Sequence, residues 1–450
     1  MIMMPVATAT TIEPASPAQD GGRTPPVRVR GERLRAAKGQ RDGTHRTVSP
    51  AETFERIRPH LPSAGITRLA DVTGLDRIGL HTVLAYRPNS PTLSNASGKG
   101  MSLMAATVSG AMEGLELHHA ENLRLPVTTA SWRALADRGP VLPLDRLPLI
   151  RNAHFSPAIA ECWVDGWDLM GQEAVPVPWA SVSMLAHPPA RGSRLGAFPV
   201  SSNGLAAGNH LLEATCAALL ELVERDAIAC HCSVRQLTGR PYPKVDLGTV
   251  TDPHVLALLD RLEAARTGIV LYDVTADTGV PVYVATLYDR RDRHVGIYGG
   301  YGAHLDPSVA MLRAMTEAAQ SRLIYIAGSR DDFFRHQHLA HRANDGAESI
   351  RQLEAAPATV AARVGSAATD SFEGDVHLLL ERLRAAGLAQ AVLVDLTHEE
   401  IGVPVARVVV PGLDGYPFHA HYQPGARVRA FAARAAADPA APLLPLARPA

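Results

Sequence analysis

Cysteine is scarce: four residues in 450, Cys162, Cys216, Cys230 and Cys232. That is too few for a disulfide framework at this length and suits a reducing cytosol. Cys230-His231-Cys232 resembles half a zinc site, but neighbouring ligands on one backbone rarely close a tetrahedral shell and no second Cys/His pair at zinc spacing follows, so a buried helix end is the better reading. A basic surplus is also missing. With a formal net charge of -1, the chain lacks the excess of cations that phosphate-tracking proteins use, which argues against general nucleic-acid binding. No apolar run reaches the roughly 18 residues of a membrane span, and the opening MIMMPVATATTIEP has neither a basic n-region nor an apolar h-region. The expectation is a cytoplasmic protein without a membrane anchor. Ser97-Gly98-Lys99-Gly100 is not a Walker A loop, because Leu93 stands where that loop needs glycine and Gly100 where it needs Ser or Thr. No nucleophile elbow or catalytic triad is recognisable.

What is present is a chain 46% hydrophobic and 20% charged, enough for one large or two modest domains with a substantial core. Residues 1–42 are rich in Pro, Gly, Ala, Ser and Thr and then in arginine, and are expected to form a flexible tail. Order is expected from residue 43, because Ser49-Pro50-Ala51-Glu52 combines an N-cap serine, a first-turn proline and the glutamate of a capping box. Strands are expected at ITRLADVTGL, HTVLAYR, CWVDGWDLM, VPWASVSML and GIVLYDVT, interleaved with helices over 102–121, 209–231, 252–266, 306–326 and 374–387. This pattern predicts an α+β fold of mixed α/β layers in one domain spanning 43–430, with an insertion at 334–373 and an Ala/Pro-rich tail at 431–450.

A repeat carries the functional signal. Laid without gaps, GMSLMAATVSGAMEGLE (100–116) and GNHLLEATCAALLELVE (208–224) share Gly100/Gly208, Leu103/Leu211, Ala106/Ala214, Thr107/Thr215, Glu113/Glu221 and Glu116/Glu224. Both read as glycine turns opening onto helices. Helical geometry puts Glu113 and Glu116 about 60° apart on one face, and Glu213, Glu221 and Glu224 within an arc of about 80°. These five carboxylates stand among Ala, Met, Leu, Val and Gly, where an unpaired carboxylate must protonate or recruit a cation, and hard oxygens suit Mg²⁺ completed by nucleotide phosphates. The plainer alternative is that each ExxE is the solvated face of an amphipathic helix, with Arg225 in a surface pair. In DPSVAMLRAMTEAAQSR, Arg313 and Glu317 share a face at i,i+4; beside a nucleotide, Arg313 is a candidate for phosphate charge and Glu317 for orienting it or moving a proton. Lys99 is a candidate to reach a phosphate from the mouth of the first module.

These segments resemble the YcaO family, whose members use ATP to modify peptide amides. The likeness covers roughly residues 43–430 and rests on GKG at 98–100, SxxxExxE at Ser109, Glu113 and Glu116, SNGLAAGNxxxEAxxxALxExxERD from Ser202 to Asp226, and RxxxExxQ at Arg313, Glu317 and Gln320. The resemblance implies ATP and Mg²⁺ as cofactors. It places Glu113, Glu116, Glu213, Glu221 and Glu224 on Mg²⁺/nucleotide positions, and Lys99, Ser109, Asn209, Arg313 and Glu317 on other ATP-contacting ones. Leu117 stands where many relatives have arginine, so that contact is either absent here or supplied by Arg225. The implied reaction adds a nucleophile to a backbone carbonyl, phosphorylates the resulting oxyanion and expels phosphate. Azoline formers of the family commonly end in PxPxP; this chain ends APLLPLARPA. With GTHR at 43–46 and VTGLDRIG at 72–79, that ending is similar to the branch that works with a TfuA partner. It implies thioamide formation on a precursor peptide with a sulfide donor, against the alternatives of an azoline-forming cyclodehydratase and a non-catalytic nucleotide-binding scaffold. A homodimer stays open.

Overall fold

Among the described residues, alternating apolar residues and well-placed glycines build three antiparallel sheets of three or more strands. A computed structural model of the chain describes residues 24–150, 155–185, 197–292, 296–332, 346–418 and 422–438. The first sheet is a meander of Arg68–Asp71, His81–Tyr86 and Asn95–Gly100, followed by the helix Leu103–Glu121. A second meander of Thr267–Asp273, Val282–Asp289 and Ile297–Ala303 is likewise followed by a helix, Pro307–Ala327. Between them lies a six-stranded sheet in the order Thr128–Ser131, Ala160–Asp168, Val392–Asp395, Val405–Val409, Leu205–Ala207, with Glu173–Pro178 paired to Ala160–Asp168. The long helix Leu211–Thr238 packs on Leu205–Ala207 and Val405–Val409 and against the helices Phe372–Ala385 and Ala426–Ala437. The result is the expected mixture of helices and sheets.

Each meander receives its helix through glycine. A Cβ on Gly98 would stand 2.0 Å from Gly110 N and 2.1 Å from Ala106 O, and one on Gly302 would stand 2.2 Å from Ala310 O. Strand and helix backbones therefore touch, a packing that no larger residue permits. The segment read as a glycine turn at 97–100 is in fact the end of a strand, Asn95–Gly100. Its glycines serve that docking, and Ser97, Lys99 and Gly100 line the cleft beside it.

Several expected boundaries move. The segment read as a flexible tail up to 42 is folded from Thr24 onward: Val27–Val29 pairs with Glu32–Leu34, Val27 is 2% exposed, and buried Lys38 ion-pairs with Asp375. Its arginines mark an exposed hairpin and its two valines a core contact too sparse to register as a period. Residues 1–23 lie outside the described structure. At the other end, the tail expected from 431 is helical to Ala437, with Phe431, Ala432 and Ala435 buried; residues 439–450 lie outside. VPWASVSML holds only the end of the strand Glu173–Pro178 before a short 3₁₀ turn. Of the expected insertion, 346–373 contributes the helix Ala347–Ala355 and a two-residue strand paired with Val245–Asp246.

Gly98→Ala is expected to cost about 1–3 kcal/mol or more by forcing the first helix off its sheet. Gly74→Ala, with nothing within 4 Å of its Cβ position, should change stability by less than about 0.5 kcal/mol. Urea denaturation of the two variants checks the contrast; equal stabilities would remove the docking argument.

Candidate active site

Three helices and the N-terminal segment enclose a cleft of about 1750 Å³. Lys99, Ser109, Glu113, Glu116, Asn209, Glu213, Glu221, Glu224, Arg225, Arg313 and Glu317 all line it. The helices Leu103–Glu121 and Leu211–Thr238 begin at the two leucines paired in the gapless overlay, so their glutamates sit at matching heights. The helix Pro307–Ala327, started by the Asp306 cap and Pro307, brings Arg313 and Glu317 to the same space.

Backbone N–H groups hold the carboxylates in place. Ser97 N donates to Glu113 Oε2 at 3.1 Å, Ala207 N to Glu116 Oε2 at 2.8 Å and Gly204 N to Glu221 Oε1 at 3.1 Å. Each of these three glutamates is anchored through one oxygen, and its other oxygen has no hydrogen-bond partner among the described residues. Glu213 is held more fully: Thr47 donates from N and Oγ1, each at 2.9 Å, Asn209 Nδ2 donates at 3.3 Å, and Arg46 lies 3.7 Å away. It stands in the first turn of its helix. Glu213 thus ties the GTHR segment to the second helix. Glu224 is buried, and its Oε2 has no hydrogen-bond partner. The same is true of Arg313 Nε.

The reading of these glutamates as a solvated helix face does not survive. Glu213 and Glu224 are 3% and 8% exposed, and Arg225 pairs with Glu221 at 3.2 Å rather than with Glu224. Nor do Arg313 and Glu317 pair with each other: Glu317 binds Lys99 Nζ at 2.8 Å, and Gln320 accepts from the same ammonium at 3.2 Å while donating to Ser97. Lys99 is therefore half-buried and engaged, not an exposed turn residue.

Charge of one sign is concentrated here. Burial pushes Glu116 well above the usual carboxylate range, and the Glu221 and Glu113 carboxylates push it further against the opposing Ala207 N–H and Arg407. Burial also raises Glu113, opposed by the Ser97 N–H and Lys99. Glu224 is pushed up to about 7, by burial first and Glu317 second, with Arg313 opposing. These are the signs of an anionic cluster short of cations.

Arg407 was missed in the sequence. It is 2% exposed, lies within electrostatic reach of Glu221 and Glu116, donates to Ser181 O and Ser201 O, and keeps Nη1 unpaired; burial pulls it down to about 10. Its signal was a lone arginine inside the apolar run Val405–Val410, since a charge there needs a partner. Cys230, His231 and Cys232 are all buried in the long helix: Cys232 Sγ meets the Tyr242 hydroxyl at 2.9 Å and His231 Nε2 lies 3.4 Å from Thr275 O. They do not join the cleft.

Among the described residues no three His, Cys, Asp or Glu side chains converge as a ready-made metal shell. The anchored carboxylates with free oxygens, the unpaired Glu224 Oε2 and the unpaired Arg313 Nε instead fit a cation that shares its ligands with an anionic second partner. A carboxylate cluster facing an unpaired guanidinium defines the class of sites that hold a metal–polyphosphate complex. The chain belongs to the YcaO family: the family model, described as YcaO cyclodehydratase with ATP and Mg²⁺ binding, matches residues 97–414. An uncharacterized protein in the tfuA 3' region of Rhizobium leguminosarum bv. trifolii is 37% identical over 401 residues, covering 85% of this chain and 92% of that protein. YcaO from Methanopyrus kandleri, bound with AMPPCP and Mg²⁺, superposes with a TM-score of 0.67 at 26% identity, covering 86% of this chain and 98% of that one. A heterocyclase in complex with substrate and cofactor shares the fold, with a TM-score of 0.74 at 23% identity; the match covers 90% of this chain and 56% of the heterocyclase. No helix among the described residues is long and apolar enough to cross a membrane.

The raised Glu224 carboxyl has a consequence for stability. Its ordinary value is 4.5 and its folded value about 7, so the fold binds its proton more tightly than the unfolded chain does. That contribution is complete below pH 4.5 and is lost as pH rises through about 7. Without ligand, urea denaturation should show wild type losing about 1–3 kcal/mol relative to Glu224→Gln across this window. Parallel stability profiles for the two proteins would contradict the assignment.

Proposed function

We propose that the chain activates a peptide backbone amide by O-phosphorylation in an ATP- and Mg²⁺-dependent reaction, to form a thioamide in a ribosomally synthesised, post-translationally modified peptide. The observation that carries this reading is the meeting of Glu116, Glu221 and Glu224 with Arg313 across one cleft, in a family defined by ATP and Mg²⁺ binding. The M. kandleri relative holds AMPPCP and Mg²⁺, which supports the same ligands here.

In this reading Glu113, Glu116, Glu213, Glu221 and Glu224 hold the metal, each kept in place by its backbone clamp or by its helix. Lys99, Ser109, Asn209 and Arg225 contact the nucleotide, Arg225 from its pair with Glu221. Arg313 turns its unpaired guanidinium edge toward the charge that develops during phosphoryl transfer. Glu317, fixed by Lys99, accepts a proton from the attacking nucleophile. Bound Mg·ATP supplies the phosphoryl group that converts the carbonyl-derived oxygen into a leaving group. No covalent protein nucleophile is needed.

The product follows from the nucleophile. Sulfide forms a new C–S bond at the carbonyl carbon, and departure of the phosphorylated oxygen leaves a thioamide, ADP and phosphate. The relative from the tfuA region supports this branch, with a precursor peptide as substrate, a TfuA-like partner and a sulfide donor. The second reading, an azoline-forming cyclodehydratase acting on Cys, Ser or Thr, is favoured by the family's description as cyclodehydratases.

Purified protein, TfuA-like partner, precursor peptide, ATP and sulfide are expected to give a mass gain of sulfur for oxygen at each modified amide. Loss of one water per site would move the assignment to azolines. ATP bound and never consumed with every candidate peptide would leave a scaffold. Glu221→Gln with Glu224→Gln should abolish modification while partner binding persists, and Arg313→Gln should lower kcat by about 10²-fold or more.

A further inference from the structure

Beyond the carboxylates, the cleft holds two phenols with no assigned role. Tyr301 lies between Gly300 and Gly302, whose faces are closed by the helix Pro307–Ala327. Strand alternation therefore turns its side chain to the opposite face, where it packs against the core that contains the second glutamate helix. Tyr416 reaches it from the loop after the strand Val405–Val409, and Tyr416 Oη donates to Tyr301 Oη at 3.1 Å. Both line the cleft, and both are within electrostatic reach of Glu317.

Two phenols sharing one hydrogen bond have two protons and use one. The Tyr301 proton has no acceptor among the described residues. A phenol that accepts a hydrogen bond becomes a better donor, and burial raises both tyrosines, so they stay protonated near neutral pH. They act as donors, not bases. Asn203 lines the same cleft: its Oδ1 is buried without a hydrogen-bond partner, and its Nδ2 lies 3.7 Å from the Cβ position of Gly415, the residue before Tyr416. A free phenolic donor and a free amide acceptor lining one cleft are the two groups that the C=O and N–H of a peptide bond require. The rings continue outward: Tyr301 and Tyr416 centroids are 5.7 Å apart, Tyr416 and Phe418 5.1 Å, and Phe418 is 59% exposed. An uncharged aromatic ladder running from the glutamate end to solvent fits an extended chain; the cation within electrostatic reach of it is Arg225, beside Tyr416.

We propose that Tyr301, Tyr416 and Asn203 form the subsite that binds the backbone amide of the acceptor peptide, with Phe418 as its outer wall. The assignment rests on the peptide-modifying reading above.

Tyr301→Phe and Tyr416→Phe each remove one hydroxyl and keep the ring. With the peptide that wild type modifies, Tyr301→Phe, which removes the free donor, is expected to raise the peptide KM about tenfold, the worth of one hydrogen bond, and Tyr416→Phe, which removes only the bond that polarises that donor, to raise it by a smaller factor of about two- to threefold. The KM for ATP and the calorimetric Kd of Mg·AMPPCP should stay unchanged. Weaker Mg·AMPPCP binding would give the ladder to the nucleotide, and an unchanged peptide KM would leave it without this role; either overturns the proposal. A turnover-free readout is saturation-transfer NMR of hexaglycine with Mg·AMPPCP present, where wild type should show contact and the double variant should lose it. Equal signals, or none from wild type, overturn the subsite. If no candidate peptide is modified while hexaglycine contact depends on the two hydroxyls, the reaction falls and the subsite stands.

Discussion

Glutamates on two helices are pressed into a cleft where burial and mutual repulsion both oppose their charge, and backbone N–H groups from Ser97, Ala207 and Gly204 prevent them from turning away. Such an arrangement is costly by itself and becomes favourable when a divalent cation enters. The surrounding structure follows from this constraint. The strands Asn95–Gly100 and Leu205–Ala207 supply or flank the clamping N–H groups. Arg407 stands behind Glu116 and Glu221 as a buried counter-charge, and the 43–47 segment closes on Glu213.

Glycine makes the third wall reachable. Backbone contact at Gly300 and Gly302 seats the helix Pro307–Ala327 directly on its sheet, which sets the depth at which Arg313 and Glu317 enter the cleft. Lys99, on the last strand of the other meander, crosses to Glu317 and Gln320. The two strand–helix units are thereby joined by an ion pair beside the carboxylates. Arg313 is left out of that pairing, and its Nε has no hydrogen-bond partner.

Much of this was legible in the amino-acid order. The capping box at Ser49 is present with both of its hydrogen bonds, and five long helices fall within a few residues of their expected bounds, except that the second glutamate helix runs on to Thr238. Short-range rules read these features because a helix start and an amphipathic stripe are local. The hairpin before residue 36 and the last helix were missed because their stabilising contacts come from far along the chain, as Lys38 needs Asp375. The strand at 95–100 was missed because its small and polar residues carry no β pattern, and Gly98 makes sense only once Gly110 is packed against it.

By itself the sequence determined which residues are chemically capable, because a carboxylate spaced along a helix among alanines and leucines advertises its cost wherever the helix lies. Only the tertiary structure decided which of them share a site and what each one faces. It gave Glu317 to Lys99 instead of Arg313, buried Glu224 without a partner, placed Arg407 behind the cluster and brought Tyr416 to Tyr301. Those choices depend on distances across the fold, and charge and hydrogen bonding are set by distance and burial, not by position along the chain.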